Sequence, residues 1–265
     1  MQLPEFIIIG AMKSGTTTLD RNLLNHSQIG FTKTKEPNFF NRNFDKGIDW
    51  YLNQFQDNKE ILGETSPNYS RRHIYPETVH NMYSTKKDLK IIYLVRDPIK
   101  RLVSHLHHDL YRHRIKSHEI DELIKIDSDY IKTSKYYYQI EPFIESFGLE
   151  NIKVILFEEF INKPDKVLND ICSFLNVRYE KILFKPYNVT GKKYLIKYHD
   201  QIHNIFGNNK ISKLYHLFWY LVGIKINKPH LDDNNLENIK ELLSEDICEF
   251  KKTFTENDYS YWPSF

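Results

Sequence analysis

Short apolar runs rich in β-branched residues alternate along this chain with longer stretches in which apolar positions recur every three or four residues. The short runs predict strands at Glu5–Ile9, Ile29–Phe31, Ile61–Gly63, Lys90–Val95 and Ile152–Phe157. The longer periodic stretches predict helices at Thr16–Asn25, Trp50–Phe55, Ile74–Tyr83, Ile99–Tyr111, Tyr136–Phe147, Lys163–Leu175, Ile211–Val222 and Leu236–Phe254. Strands that alternate with helices in this way predict an α/β fold, a P-loop-like parallel sheet with helices on both faces. No repeat, low-complexity tract or Pro/Gly/Ser linker interrupts the pattern. Residues 1–265 therefore read as one domain, long enough to bury a substantial core.

The first strand runs straight into Gly10-Ala11-Met12-Lys13-Ser14-Gly15-Thr16-Thr17-Thr18-Leu19. A buried strand that turns through glycines onto a helix N-terminus aims backbone N–H groups and the positive end of the helix dipole at one point, which suits a phosphate-like anion. The chain has only nine glycines, and two of them bracket this loop, so the backbone there has a special requirement. A Walker A loop places its lysine directly after the second glycine. Here Lys13 precedes Gly15 and Thr16 stands in the lysine's place, so the loop holds an anion without being built like that of an ATPase.

A second strand, Lys90–Val95, ends in Arg96-Asp97-Pro98 and continues into a helix carrying Arg101 and Ser104. An arginine at the carboxyl end of a buried strand stands where open α/β sheets bind ligands, and its planar fork suits a phosphate. Ser104 follows as a hydroxyl donor. Two anion sites on two strand-to-helix turns point to a nucleoside with phosphates at both ends.

At these segments the chain resembles the sulfotransferases that use 3′-phosphoadenosine 5′-phosphosulfate. Lys13-Ser14-Gly15-Thr16-Thr17 is similar to that family's 5′-phosphosulfate loop, and Val95-Arg96-Asp97-Pro98 with Arg101 and Ser104 to its 3′-phosphate motif. Lys35-Glu36-Pro37-Asn38-Phe39-Phe40 resembles the segment that holds the catalytic glutamate in the heparan-sulfate type of enzyme. Gly63–Tyr69, Ile152–Glu159 and Tyr259–Trp262 fall in the order the resemblance requires.

The resemblance implies sulfuryl transfer to a hydroxyl or amine, with carbohydrate as the favoured acceptor. Lys13 would stabilise the departing phosphate, with Ser14, Gly15, Thr16, Thr17 and Thr18 around it; Arg96 and Ser104 would hold the 3′-phosphate. Glu36 would take the acceptor's proton, and Lys35 would bind donor or acceptor. Asn38 would orient the acceptor in a position where relatives commonly carry histidine, so a Glu/His proton relay is not expected. Glu64 either hydrogen-bonds the acceptor or orders its loop. Lys192 and Lys193, after Gly191, read either as a basic loop closing over the nucleotide or as a solvated turn. A sulfuryl group carries one negative charge fewer than a phosphoryl group and needs a metal less, and no metal is expected.

Lys and Arg total 37 against 35 Asp and Glu, a net charge of +2, so no global field argues for nucleic acid. Cys172 and Cys248 fall in predicted helices, without zinc spacing, and read as core thiols. His105, His107 and His108 read as a partly exposed helical face. The apolar stretch Leu214–Val222 is far shorter than the about 20 residues of a membrane span and reads as a core helix. Phe6–Ile9 is too short for a secretory signal, which suggests a cytoplasmic protein, with a trimmed Golgi-type catalytic domain as the other possibility. Nothing in the sequence indicates an oligomeric state. Two rival readings stay open on the residues alone. One is a P-loop kinase or NTPase with Ile92–Val95 and Asp97 as its Walker B strand. The other is a non-catalytic module that binds sulfated glycan through basic loops.

Overall fold

The computed structural model describes residues 2–55, 59–187 and 225–265, together with 193–194, 214–215 and 217–218. Five parallel strands form its main sheet: β1 (Phe6–Gly10), β2 (Ile29–Phe31), β3 (Ile61–Thr65), β4 (Lys90–Val95) and β5 (Ile152–Leu156), in the order β2-β3-β1-β4-β5. The strand order reverses at β1, which pairs Phe6 with Gly63 of β3 on one side and with Lys90 of β4 on the other. A crevice opens there at the carboxyl ends of the strands, and parallel sheets bind ligands in such crevices.

Successive strand residues point to opposite faces, and both faces are covered. Ile7, Ile9, Ile91, Tyr93 and Val95 pack with α4 (Thr78–Thr85), α5 (Pro98–Tyr111), α8 (Tyr136–Phe147) and the final helix α11 (Asp233–Thr253). Phe6, Ile8, Ile92, Leu94 and Ile155 pack with Leu19 and Leu23 of α1 (Thr16–Leu23) and with Leu168, Ile171 and Leu175 of α10 (Pro164–Leu175). Gly63 is required by this packing: a Cβ there would lie 2.1 Å from the Phe6 ring. Short helices complete the described chain: α2 (Phe39–Arg42), α3 (Gly47–Leu52), α6 (Ile120–Leu123), α7 (Asp129–Lys132) and α9 (Phe157–Asn162).

The predicted parallel sheet with helices on both faces is the fold observed; several elements shift by up to a few residues from their predicted bounds, and for three of them the physical reason is visible. β3 extends to Thr65, because Glu64 is fully buried and continues the pairing although no apolar pattern marks it. The helix expected at Ile74–Tyr83 starts at Thr78, after the turn around Pro76. Strand β5 stops at Leu156, because Phe157 begins a helix of its own that ends before Pro164. The helix predicted at Ile211–Val222 falls largely outside the described residues.

Two expectations about side chains are corrected. Cys172 is buried, but Cys248 is exposed, one residue after Ile247 and off the Leu243–Ile247–Phe250 stripe that faces the core. His105 and His107 are buried rather than partly exposed; Tyr130 lies against the first, and the Ile226 carbonyl lies 3.1 Å from Nε2 of the second.

Candidate active site

β1 delivers the chain to the crevice, and the turn after it needs two left-handed residues, Lys13 (φ 71°) and Gly15 (φ 93°). Gly15 is doubly constrained, because a Cβ there would also lie 2.5 Å from the Phe157 ring. It caps α1 without a side chain. The Thr18 and Leu19 amides donate to the Gly15 carbonyl, whereas those of Thr16 and Thr17 have no backbone acceptor among the described residues. Helix-start amides left in this state form an anion site. Ser14 adds a fully buried Oγ without a hydrogen-bond partner among the described residues. An unsatisfied loop of this kind fits the phosphate end of a nucleotide. Thr18 does not join it, because its hydroxyl donates to the Tyr187 carbonyl (3.0 Å) and accepts from the Tyr187 amide (3.1 Å).

Lys35 and Glu36 meet this loop from the β2 side. Lys35 Nζ donates to Thr17 Oγ1 at 2.6 Å and pairs with Glu36 Oε1 at 2.9 Å. Both side chains are partly exposed. The backbone aims them by a left-handed turn through Glu36 (φ 60°) and Asn38 (φ 50°). Asn38 stabilises that turn: its Nδ2 donates to the Glu36 carbonyl at 2.7 Å and its amide to Ser66 Oγ at 3.2 Å. Below lies Glu64, wholly buried, accepting from Ser66 Oγ (2.6 Å) and from the Tyr51 hydroxyl. Burial raises the Glu64 pKa, against the pull of those two bonds. Of the two roles open to Glu64, ordering the loop under Asn38 is the one its geometry supports.

On the β4 side, Arg96 lies over the Phe157 ring, 5.0 Å from its centroid, with Nε 3.9 Å from Glu158. That Nε is buried and makes no hydrogen bond among the described residues. The guanidinium is therefore held but not saturated, which fits a phosphate clamp. Ser104 is half-buried farther along α5. Arg101, by contrast, is fully buried and committed to Ser134 Oγ (2.8 Å) and the Tyr130 carbonyl (2.6 Å), so it has a structural role and no access to a ligand. Asp97 is fully buried as the cap of α5, accepting from the Lys100 amide at 3.0 Å and the Ser264 amide at 3.2 Å. The chain's end is fastened here too, by Trp262 Nε1 donating to Glu158 at 3.2 Å. Lys192 lies outside the described residues, and Lys193 is described only as backbone paired with Ile226.

Several participants escape a reading of the sequence. Asp20, on the second turn of α1, is buried where the charges of Lys35 and Glu36 both reach it, and burial raises its pKa. Asn68 Nδ2 donates to Asn38 Oδ1 at 3.2 Å, and Arg71 in turn donates to Asn68 Oδ1 at 3.2 Å and to Asp129 at 2.6 Å. No local pattern marks Asp20, since the buried residues of α1 also include Thr16, Thr18 and Asn22; Asn68 stood inside a segment already singled out. Among the described residues there is no group of His, Cys, Asp and Glu suited to hold a metal, and no helix long and apolar enough to cross a membrane.

The sheet order and the glycine turn from β1 onto α1 define a P-loop-like α/β protein. The Sulfotransferase domain family matches residues 3–246, and the chain belongs to that family. It is 26% identical to the membrane-associated sulfotransferase kil1 of Dictyostelium discoideum, over 75% of this chain and 63% of that protein. It is 30% identical to heparan sulfate glucosamine 3-O-sulfotransferase 3A1 of Mus musculus, over 67% of this chain and 47% of that protein. The chain thus spans about half to two thirds of the length of these relatives. Its fold matches a sulfotransferase from Alicyclobacillus acidocaldarius with a TM-score of 0.70 at 24% identity, covering 99% of both chains. A mouse sulfotransferase, SULT7A1, solved in complex with PAP, matches at 0.58 and 16% identity, over 96% of this chain and 88% of that one.

Proposed function

We propose that this chain moves a sulfuryl group from 3′-phosphoadenosine 5′-phosphosulfate to a hydroxyl or amine, with carbohydrate as the acceptor class. The observation that carries the proposal is the pair of contacts made by Lys35, which tie the carboxylate of Glu36 to the hydroxyl of Thr17 on the anion loop. A proton acceptor and an anion cradle thereby share one ammonium. The names of the heparan sulfate relatives support a sugar acceptor.

The donor supplies a sulfuryl group on a phosphate leaving group. The Thr16 and Thr17 amides, Gly15 and Ser14 hold the 5′ end; Arg96, with Ser104 nearby, holds the 3′-phosphate. Lys13 and Lys35 place positive charge where negative charge builds on the departing oxygen, and electrostatic stabilisation of this kind is commonly the largest catalytic contribution. Glu36 removes the acceptor's proton, and Asn38 and Glu64 fix the turn that aims it. The kinase reading is disfavoured by Asp97, whose two oxygens are used inside the protein as a helix cap and a chain-end tether.

Labelled donor incubated with heparan sulfate and a panel of other glycans, lipids and phenols tests the proposal through transfer of label. Adenosine 3′,5′-bisphosphate without metal is expected to raise the melting temperature more than ATP with Mg²⁺, because a ligand stabilises the state it binds. Greater stabilisation by Mg-ATP would favour the kinase. A protein that binds no bisphosphate yet retains sulfated glycan would be a binding module.

A further inference from the structure

The turn that carries Glu36 is strained. Glu36 (φ 60°) and Asn38 (φ 50°) are both left-handed without being glycine, with Pro37 between them. Residues in that state persist where their surroundings over-determine them. Here a line of hydrogen bonds leads from the turn away from the crevice. Asn38 Nδ2 donates to the Glu36 carbonyl at 2.7 Å, Asn68 Nδ2 to Asn38 Oδ1 at 3.2 Å, and Arg71 Nη1 to Asn68 Oδ1 at 3.2 Å. Arg71 is largely buried, and its second terminal nitrogen donates to Asp129 Oδ2 at 2.6 Å. Asp129 opens α7 and is itself fixed: its Oδ1 accepts from Thr133 Oγ1 at 3.1 Å and lies 2.7 Å from His73 Nε2.

This strut has a single polarity. A guanidinium only donates and a backbone carbonyl only accepts, so the two ends fix how both amides between them are turned. Arg71 requires the oxygen of Asn68, which turns the Asn68 NH₂ toward Asn38; Asn38 then presents its own NH₂ to the Glu36 carbonyl. Amides aligned head to tail polarise one another, and a charged donor at the head strengthens the first bond. The Pro37 carbonyl is taken separately by Asn43 Nδ2 at 2.8 Å, and the Asn38 amide donates to Ser66 Oγ at 3.2 Å. Those two contacts hold Pro37 and Asn38; the strut reaches Glu36 itself.

We infer that Asn68 and Arg71 are positioning residues for Glu36: the strut anchored at Asp129 on α7 holds the Glu36 carbonyl, and with it the turn that brings the carboxylate to the ammonium shared with Thr17. The inference rests on the sulfotransferase reading and deepens it, by assigning the aim of the proton acceptor to residues outside the anion loop. The hydrogen bonds of Asn68 and Arg71 lead to Glu36 rather than to that loop. Loss of the strut therefore separates turnover from donor binding.

The experiment uses Asn68→Asp in the full chain, with Arg71→Met as the second variant. A carboxylate at position 68 keeps the oxygen that Arg71 needs and removes the NH₂, so two acceptors face each other at Asn38. If the Asn38 amide turns over to meet it, the Glu36 carbonyl loses its donor instead. One link is lost either way, without a change of size. With labelled donor and heparan sulfate, kcat should fall by up to about 10²-fold, the scale of a misplaced reacting group, with acceptor KM and bisphosphate affinity held. In a Glu36→Gln background neither variant should lower turnover further, because no carboxylate is left to aim. The Cα resonances of Glu36 and Asn38, read by NMR, should leave their left-handed values in both variants. Unchanged turnover, an equal loss with and without Glu36, or resonances that stay in place overturns the inference. If heparan sulfate takes no label even from the wild type, the acceptor reading falls first, and the resonances alone decide the strut.

Discussion

Lys35 Nζ stands 2.6 Å from Thr17 Oγ1, across the mouth of the strand crevice. The two residues come from different connections, one following β1 and the other following β2, and a single ammonium joins them. Glu36 shares that ammonium at 2.9 Å. The position of the candidate base is thus set by the loop it serves.

This makes two substitutions separable. Glu36→Gln keeps shape and removes the proton acceptor, so bisphosphate binding should survive while turnover falls on the order of 10²–10⁴-fold. Lys13→Ala should weaken turnover and bisphosphate binding together. The contrast, read by calorimetry and by label transfer, is the check. Near-normal turnover in Glu36→Gln would remove Glu36 from the mechanism.

Arg96→Ala should weaken adenosine 3′,5′-bisphosphate by about 2–3 kcal/mol, the scale of a lost charge-assisted contact. Adenosine 5′-phosphate, which lacks the group assigned to Arg96, should lose far less. Equal losses for the two ligands would assign Arg96 to the other end of the nucleotide or to the fold.

Gly15→Ala puts a Cβ at a φ of 93° and 2.5 Å from the Phe157 ring. The left-handed conformation alone costs about 1–3 kcal/mol in a non-glycine residue, and the clash adds to it. Chemical denaturation should show the loss. Gly15→Ala with Phe157→Ala relieves only the clash, so the pair should be less destabilised than the sum of the two single variants.

Asp246, on α11, accepts from the amides of Tyr137 and Tyr138 at 3.0 and 2.7 Å, and burial raises its pKa to about 6 despite those bonds. Raised in the folded protein above the usual 3.8, it binds protons more tightly folded than unfolded. Its stabilising effect is fully present below about pH 4 and lost as pH rises through about 6. Asp246→Asn stays neutral throughout, so its melting temperature relative to the wild type should improve between pH 4 and 7. A constant difference across that range would overturn the assignment.

The strands, the glycine turn from β1 onto α1 and the order of the motifs were legible because each depends on local pattern: apolar runs, glycine spacing, a charge at a strand end. Cys248 could also have been placed, since Leu243, Ile247 and Phe250 already define the buried stripe of α11 and leave no room on it for the next residue. What depends on distant partners was not legible. Arg96 and Arg101 are five residues apart in one motif, yet one lies over an aromatic ring near the crevice and the other is sealed under α7 by Ser134 and Tyr130. His105 is buried for the same reason: α7 covers a flank of α5 that no periodicity announces. Glu64 hid in the same manner, because a carboxylate inside a strand looks exposed until Tyr51 and Ser66 are found around it.

Phe157 touches both candidate anion sites, packed against the α-carbon of Gly15 and lying under the guanidinium of Arg96. It is a spacer block, setting the gap between the loop and the guanidinium by the dimensions of a benzene ring rather than by the reach of flexible side chains. Under the proposed function, a site gauged in this way would measure its ligand by length. Shortening the block, as in Phe157→Leu, would leave loop and guanidinium intact and unsettle only the distance between them.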